Sequence, residues 1–176
     1  MKKIILSVFT IATLWSCQQD KTAYVNNSKL IQDYSKMKRT EAEFKEKNDA
    51  LSSELDSVAM AFQQEVQKFQ SEMESMSKSK RESEQNRLMQ KQQQLQQQQQ
   101  QKSQMLRQES DKAINAIIDD VKDYVADYGK EKGYTYIFGS NESANIMYAK
   151  KGLDLTDEIL RELNKKDSLA QEKKLE

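Results

Sequence analysis

The stretch Leu51-Ser52-Ser53-Glu54-Leu55-Asp56-Ser57-Val58-Ala59-Met60-Ala61-Phe62-Gln63-Gln64-Glu65-Val66-Gln67-Lys68-Phe69 decides the fold. Its seam residues Leu51, Leu55, Val58, Phe62, Val66 and Phe69 recur at steps of four and three, the spacing of a helix that buries one narrow stripe against another helix. Phe44 continues the seam upstream, and Met73 and Met76 continue it downstream. Two consecutive four-residue steps from Val58 to Val66 mark a stutter, where a supercoil relaxes locally. Neither Pro nor Gly occurs between Asn27 and Tyr128, so about a hundred residues contain none of the strong helix breakers.

Ser71 to Ser83 hold five serines and no apolar residue after Met76, and the chain is expected to reverse near 76–84. The returning arm begins with Leu88 and Leu95 among Gln92–Gln94 and Gln96–Gln101, a weakly apolar face that still favours helix. Further on, Ile114, Ile117, Val121, Tyr124 and Tyr128 return at steps of three and four, a well-packed stripe. Each arm would reach roughly 75 Å, whereas a single unbroken helix, the alternative, would reach roughly 150 Å.

Short β-like segments flank this run. Residues 22–28 supply the first strand of a small body, with Asn27 or Ser28 as the helix N-cap, and residues 29–128 form the arm. Gly129 and Gly133 end the helix, and all four glycines lie from there onward. Residues 129–164 read as a β-hairpin, Tyr134–Phe138 with Asn145–Ala149, and a short helix capped by Thr156; residues 165–176 read as a charged, frayed tail. The fold class is therefore α+β, a long helical coiled-coil hairpin inserted into a small β-body. Tyr24, Val25, Tyr136, Ile137, Phe138, Ile146 and Tyr148 are the candidate body and inter-protomer contacts, because short strands with open edges favour pairing with further copies.

Lys2 and Lys3, the apolar run Ile4–Trp15 and the junction Ser16-Cys17 read as a secretory signal over residues 1–16, too short to span a membrane. Leu14-Trp15-Ser16-Cys17 resembles a bacterial lipobox, making Cys17 the candidate lipidation site and residues 17–21 a lipidated tether to a membrane, the outer membrane favoured; an ordinary signal with an incidental cysteine is the alternative. Cys17 is the only cysteine, so no intrachain disulfide is available. Loss of residues 1–16 leaves 26 basic against 28 acidic side chains, a balance that argues against nucleic acid as a partner.

There is no histidine, no Gly-rich phosphate loop and no metal-ligand constellation, so neither catalysis, a metal nor a cofactor is expected. Residues 41–74 hold nine acids against three bases, and residues 76–107 hold seven bases against Glu82 and Glu84. Folding at about residue 80 is expected to leave a basic arm tip, Lys78, Lys80, Arg81, Arg87 and Lys91, open to anionic lipid or simply solvated. Leu51, Leu55, Val58, Phe62, Val66 and Phe69 are candidates for client binding or for arm packing, two roles that the spacing alone does not separate.

Ala23-Tyr24-Val25-Asn26-Asn27-Ser28-Lys29-Leu30, the charged hairpin, Ile146-Met147-Tyr148-Ala149 and Asp154-Leu155-Thr156-Asp157-Glu158-Ile159-Leu160 resemble, in order and spacing, the Skp (OmpH) family of periplasmic chaperones. The resemblance implies a homotrimer whose hairpins surround a cavity, and a Gram-negative periplasmic holdase that keeps outer-membrane β-barrel proteins unfolded without ATP. Familiar members are strongly basic and soluble, and this chain differs on both counts. The competing functions are an envelope spacer or scaffold lipoprotein and, less well matched by the short β segments, an export-complex adaptor.

Overall fold

In the computed structural model the described residues are 20–141 and 146–175. Among them the order is β1 (Thr22–Asn26), α1 (Asn27–Asp33), α2 (Ser35–Glu72), α3 (Lys78–Lys132), β2 (Tyr136–Ser140) and α4 (Thr156–Leu175). The described residues divide into two compact units: an arm, Ser35–Ile118, and a body made of those up to Tyr34 and from Asp119 onward.

In the body, β1 is the organising strand. Ala23 and Val25 are buried on one face while Thr22, Tyr24 and Asn26 are half-buried, the alternation of a strand with one covered side. β2 pairs with it in parallel, from Thr22 opposite Tyr136 to Asn26 opposite Ser140. A parallel pair needs a long crossover, and the inserted helices provide it. On the other edge the Tyr24 amide donates to the Leu153 carbonyl and the Leu155 amide to the Tyr24 carbonyl, both at 2.9 Å. The hairpin expected of 134–149 is corrected by this pairing: β2 takes β1 as its partner, and Ile146–Ala149 carry no strand. The physical reason is burial, because β1 offers a covered apolar face whereas Met147 and Tyr148 stand almost fully in solvent.

Capping differs from expectation by one residue at each helix. Asn26 rather than Asn27 or Ser28 caps α1, its side-chain oxygen accepting from the Lys29 amide at 3.0 Å. The first bond inside α4 runs from the Ile159 amide to the Leu155 carbonyl, so Leu155 holds the cap position. Asp154 accepts from the Thr156 amide at 2.9 Å and from its hydroxyl, while that hydroxyl oxygen accepts from the Asn26 amide at 2.8 Å. One threonine thereby ties the end of β1 to the start of α4.

α1 packs on α4 and on the sheet, with Leu30 and Ile159 fully buried. Each such side chain contributes about 1.5–3 kcal/mol relative to exposure. Tyr34, Val121, Tyr128, Leu155 and Leu163 complete the core. α4 continues to Leu175, where a frayed tail was expected after Asn164; Asp167 is buried beyond that point.

The arm reverses at residues 73–77, overlapping the start of the expected segment, and α2 and α3 run back along each other. Glu65 bonds Arg87 at 3.1 Å and also Lys91, and Glu54 bonds Lys102. These cross-helix pairs exclude the single unbroken helix. The turn needs no glycine because side chains satisfy its backbone. Ser77 Oγ accepts from the Lys80 amide at 3.4 Å, and the Arg81 guanidinium donates to the Met73 carbonyl at 3.0 Å and the Met76 carbonyl at 3.4 Å.

Candidate interaction surfaces

Outward-facing aromatics define the first surface. Tyr136 and Phe138, two residues apart on β2, project on one face with ring centroids 5.7 Å apart and planes at 21°, and both are more than half exposed. Among the described residues β2 has a strand partner on one edge only. Ile137 faces the other way, where an open groove of about 460 Å³ is lined by Val25, Val121, Val125, Gly129, Tyr134 and Ile137. Gly129 lets the helix approach Ile137 closely there: a Cβ on it would lie 3.3 Å from Ile137 Cδ1, so that side chain would have to give by a few tenths of an ångström.

The sequence-derived body residues therefore separate by role. Val25 belongs to the core, Tyr24 and Ile146 are half-buried, Ile137 lines the groove, and Tyr136, Phe138 and Tyr148 face solvent. Burial, then the Asp154 carboxylate, pushes the Tyr24 phenol above its ordinary range. Tyr128, absent from the sequence-derived set, donates its hydroxyl to Glu158 at 2.7 Å, and burial followed by that carboxylate raises its phenol strongly.

In the arm, Leu51, Leu55, Val58, Phe62, Val66 and Phe69 all point along the expected seam but remain half-buried. α3 returns Leu88, which is buried, and Leu95, which is half-buried. Where the glutamines end, an open groove of about 670 Å³ is lined by Phe44, Leu51, Leu106, Arg107, Ser110 and Asp111. Leu106 escaped the sequence reading; its signal is the eleven-residue step from Leu95, repeated from Leu106 to Ile117, which keeps a helical stripe in phase.

The basic tip is smaller than expected. Lys78 and Lys80 are exposed, but Arg81 is spent on the turn carbonyls, and Arg87 and Lys91 converge on Glu65. Lys91, then Arg87, holds the Glu65 carboxyl below its usual range. The hairpin register is the reason: it sets bases of the returning helix against acids of the outgoing one. The signal was the opposite charge bias of the two arms.

The lipidation candidate Cys17 and the signal-like residues 1–16 lie outside the described residues. Among the described residues no helix is long and apolar enough to cross a membrane, and no cluster of His, Cys, Asp or Glu could hold a metal ion.

These features define an α+β protein in which a long helical hairpin interrupts a small parallel β-body. The chain belongs to the outer membrane protein (OmpH-like) family, whose model matches residues 21–163. A crystal structure of an OmpH-like protein from Caulobacter crescentus CB15, assigned as an outer membrane chaperone, shares the fold with a TM-score of 0.74 at 14% identity, over 84% of this chain and 86% of that one. No curated protein matches the chain.

Proposed function

We propose that this protein is an ATP-independent periplasmic holdase for unfolded outer-membrane β-barrel proteins, working as a homotrimer held to a membrane of a Gram-negative cell, the outer membrane favoured, by lipid on Cys17. The observation that carries the reading is the arm seam, whose six apolar residues between Leu51 and Phe69 remain half-buried, with an open groove at its Leu51 end. A helical pair that only held itself together would seal that stripe; one that leaves it accessible can take many shallow contacts from an unfolded chain and later release it.

Membership of the OmpH-like family and the shared fold with a protein assigned as an outer membrane chaperone support the same reading. Trimerisation is supported by Tyr136 and Phe138, a stacked aromatic pair exposed beside a strand edge. No nucleotide or other cofactor takes part, and catalysis plays no role.

Light scattering on a sizing column tests this with residues 18–176, alone and with a urea-diluted β-barrel protein. The expected result is a trimer that gains the mass of one client. A monomer or dimer that ignores the client would refute the holdase and return the protein to the spacer class.

A further inference from the structure

The chain is fastened to the body before β1 begins. Thr135 Oγ1 donates to Asp20 Oδ1 at 3.1 Å, and the Thr135 amide donates to the Lys21 carbonyl at 2.8 Å. Lys21 Nζ donates to the Lys132 carbonyl at 2.9 Å and stands 4.0 Å over the centroid of the Tyr134 ring. That ammonium caps the C-terminal end of α3, where the helix dipole favours a cation. Only Gln18 and Gln19 separate Cys17 from Asp20. Three residue steps span at most about 11 Å, and the headgroup zone on each side of a bilayer is itself about 5–8 Å thick.

Resting on the reading of Cys17 as acylated, we propose that the body end formed by Lys21, Lys130, Lys132 and Tyr134 lies directly against the bilayer that carries the acyl chains, with lipid headgroups as its partner. Charge does not choose the lipid. Lys130 pairs with Asp127 at 3.2 Å, Lys132 pairs with Glu131 at 3.3 Å, and Asp20 lies beside Lys21 in sequence. The contact is imposed by tether length and holds on a zwitterionic surface as well as an anionic one. Tyr134, with an apolar ring and a polar hydroxyl, suits such an interface.

The body has a far side to compare. α4 runs back from this end: Glu158 meets Tyr128, and Lys166 Nζ stands 5.6 Å from the Tyr124 centroid. Tyr124 lies about 12 Å along α3 from Lys132, and Lys173 lies about 10 Å further along α4 than Lys166. Position 173 is therefore membrane-distal and position 130 membrane-proximal.

Acylation consumes the only thiol, so Lys130→Cys or Lys173→Cys in the full-length precursor accepts a single fluorophore. Both side chains are exposed, and neither is part of the core. The mature proteins are placed in phosphatidylcholine vesicles containing a headgroup-quencher lipid. Quenching at 130 is expected to exceed that at 173 severalfold, and a flexible Gly/Ser insertion of about twelve residues between Gln19 and Asp20, adding roughly 20 Å, is expected to equalise them. Equal quenching without the insertion, or no effect of the insertion, overturns this inference and leaves acylation standing. A mature chain without acyl mass in intact mass spectrometry overturns the acylation reading and this inference with it.

Discussion

Thr156→Val tests how the body is held together. Thr156 is 2% exposed, and its hydroxyl both accepts from the Asn26 amide and donates to Asp154. Valine keeps the shape and removes the oxygen, leaving the part-buried Asn26 amide without its acceptor. An unsatisfied buried amide costs about 1–3 kcal/mol and the lost bond to Asp154 about 1 kcal/mol more, so the expected loss is about 2–4 kcal/mol. For a chain of this length that lowers Tm by about 4–16 °C. Asp154 still accepts from the amide of residue 156, so the α4 cap persists. Thr156→Ser retains the oxygen and loses one methyl, about 0.8 kcal/mol. All seven tyrosines lie in the body, so tyrosine fluorescence during urea unfolding at one fixed protein concentration follows the body without the arm. A valine variant within about 0.5 kcal/mol of the parent, or a serine variant as damaged as valine, would refute the reasoning.

Three further outcomes are expected. Glu65→Gln removes the negative charge and one of the two oxygens that accept from Arg87 and Lys91, so amide exchange over residues 84–95 should rise a few-fold; because the Glu65 carboxyl is held low, that difference is full above the ordinary carboxylate range and is lost as pH falls through the lowered value. Tyr128→Phe should cost about 1 kcal/mol at neutral pH; the raised Tyr128 phenol contributes stability that is full below about pH 10 and declines above it, so the alkaline fall in urea midpoint should be shallower in the variant. Replacing Tyr136 and Phe138 together by Ser should lower the solution mass while leaving the unfolding free energy of the dissociated chain within about 0.5 kcal/mol of the parent, since both rings are exposed in the single chain.

The sequence by itself determined the long helices, their seam and the insertion of a helical hairpin between two β segments. Periodic apolar residues and absent helix breakers act locally, so Leu51 to Phe69 can be read without knowing what they meet. Opposite charge bias in the two arms was also legible, but its meaning was not, because the pairing of Glu65 with Arg87 and Lys91 depends on a register set by the turn at 73–77. Tertiary structure alone decided the body. A five-residue strand such as Tyr136–Ser140 can pair in a hairpin or across a crossover, and only the competition for the covered face of β1 selects the parallel partner and leaves Met147 and Tyr148 in solvent. The same holds for Asn26, Asp154 and Thr156: each is an ordinary capping residue in sequence, and the backbone amide that each one satisfies depends on which segments the fold brings together.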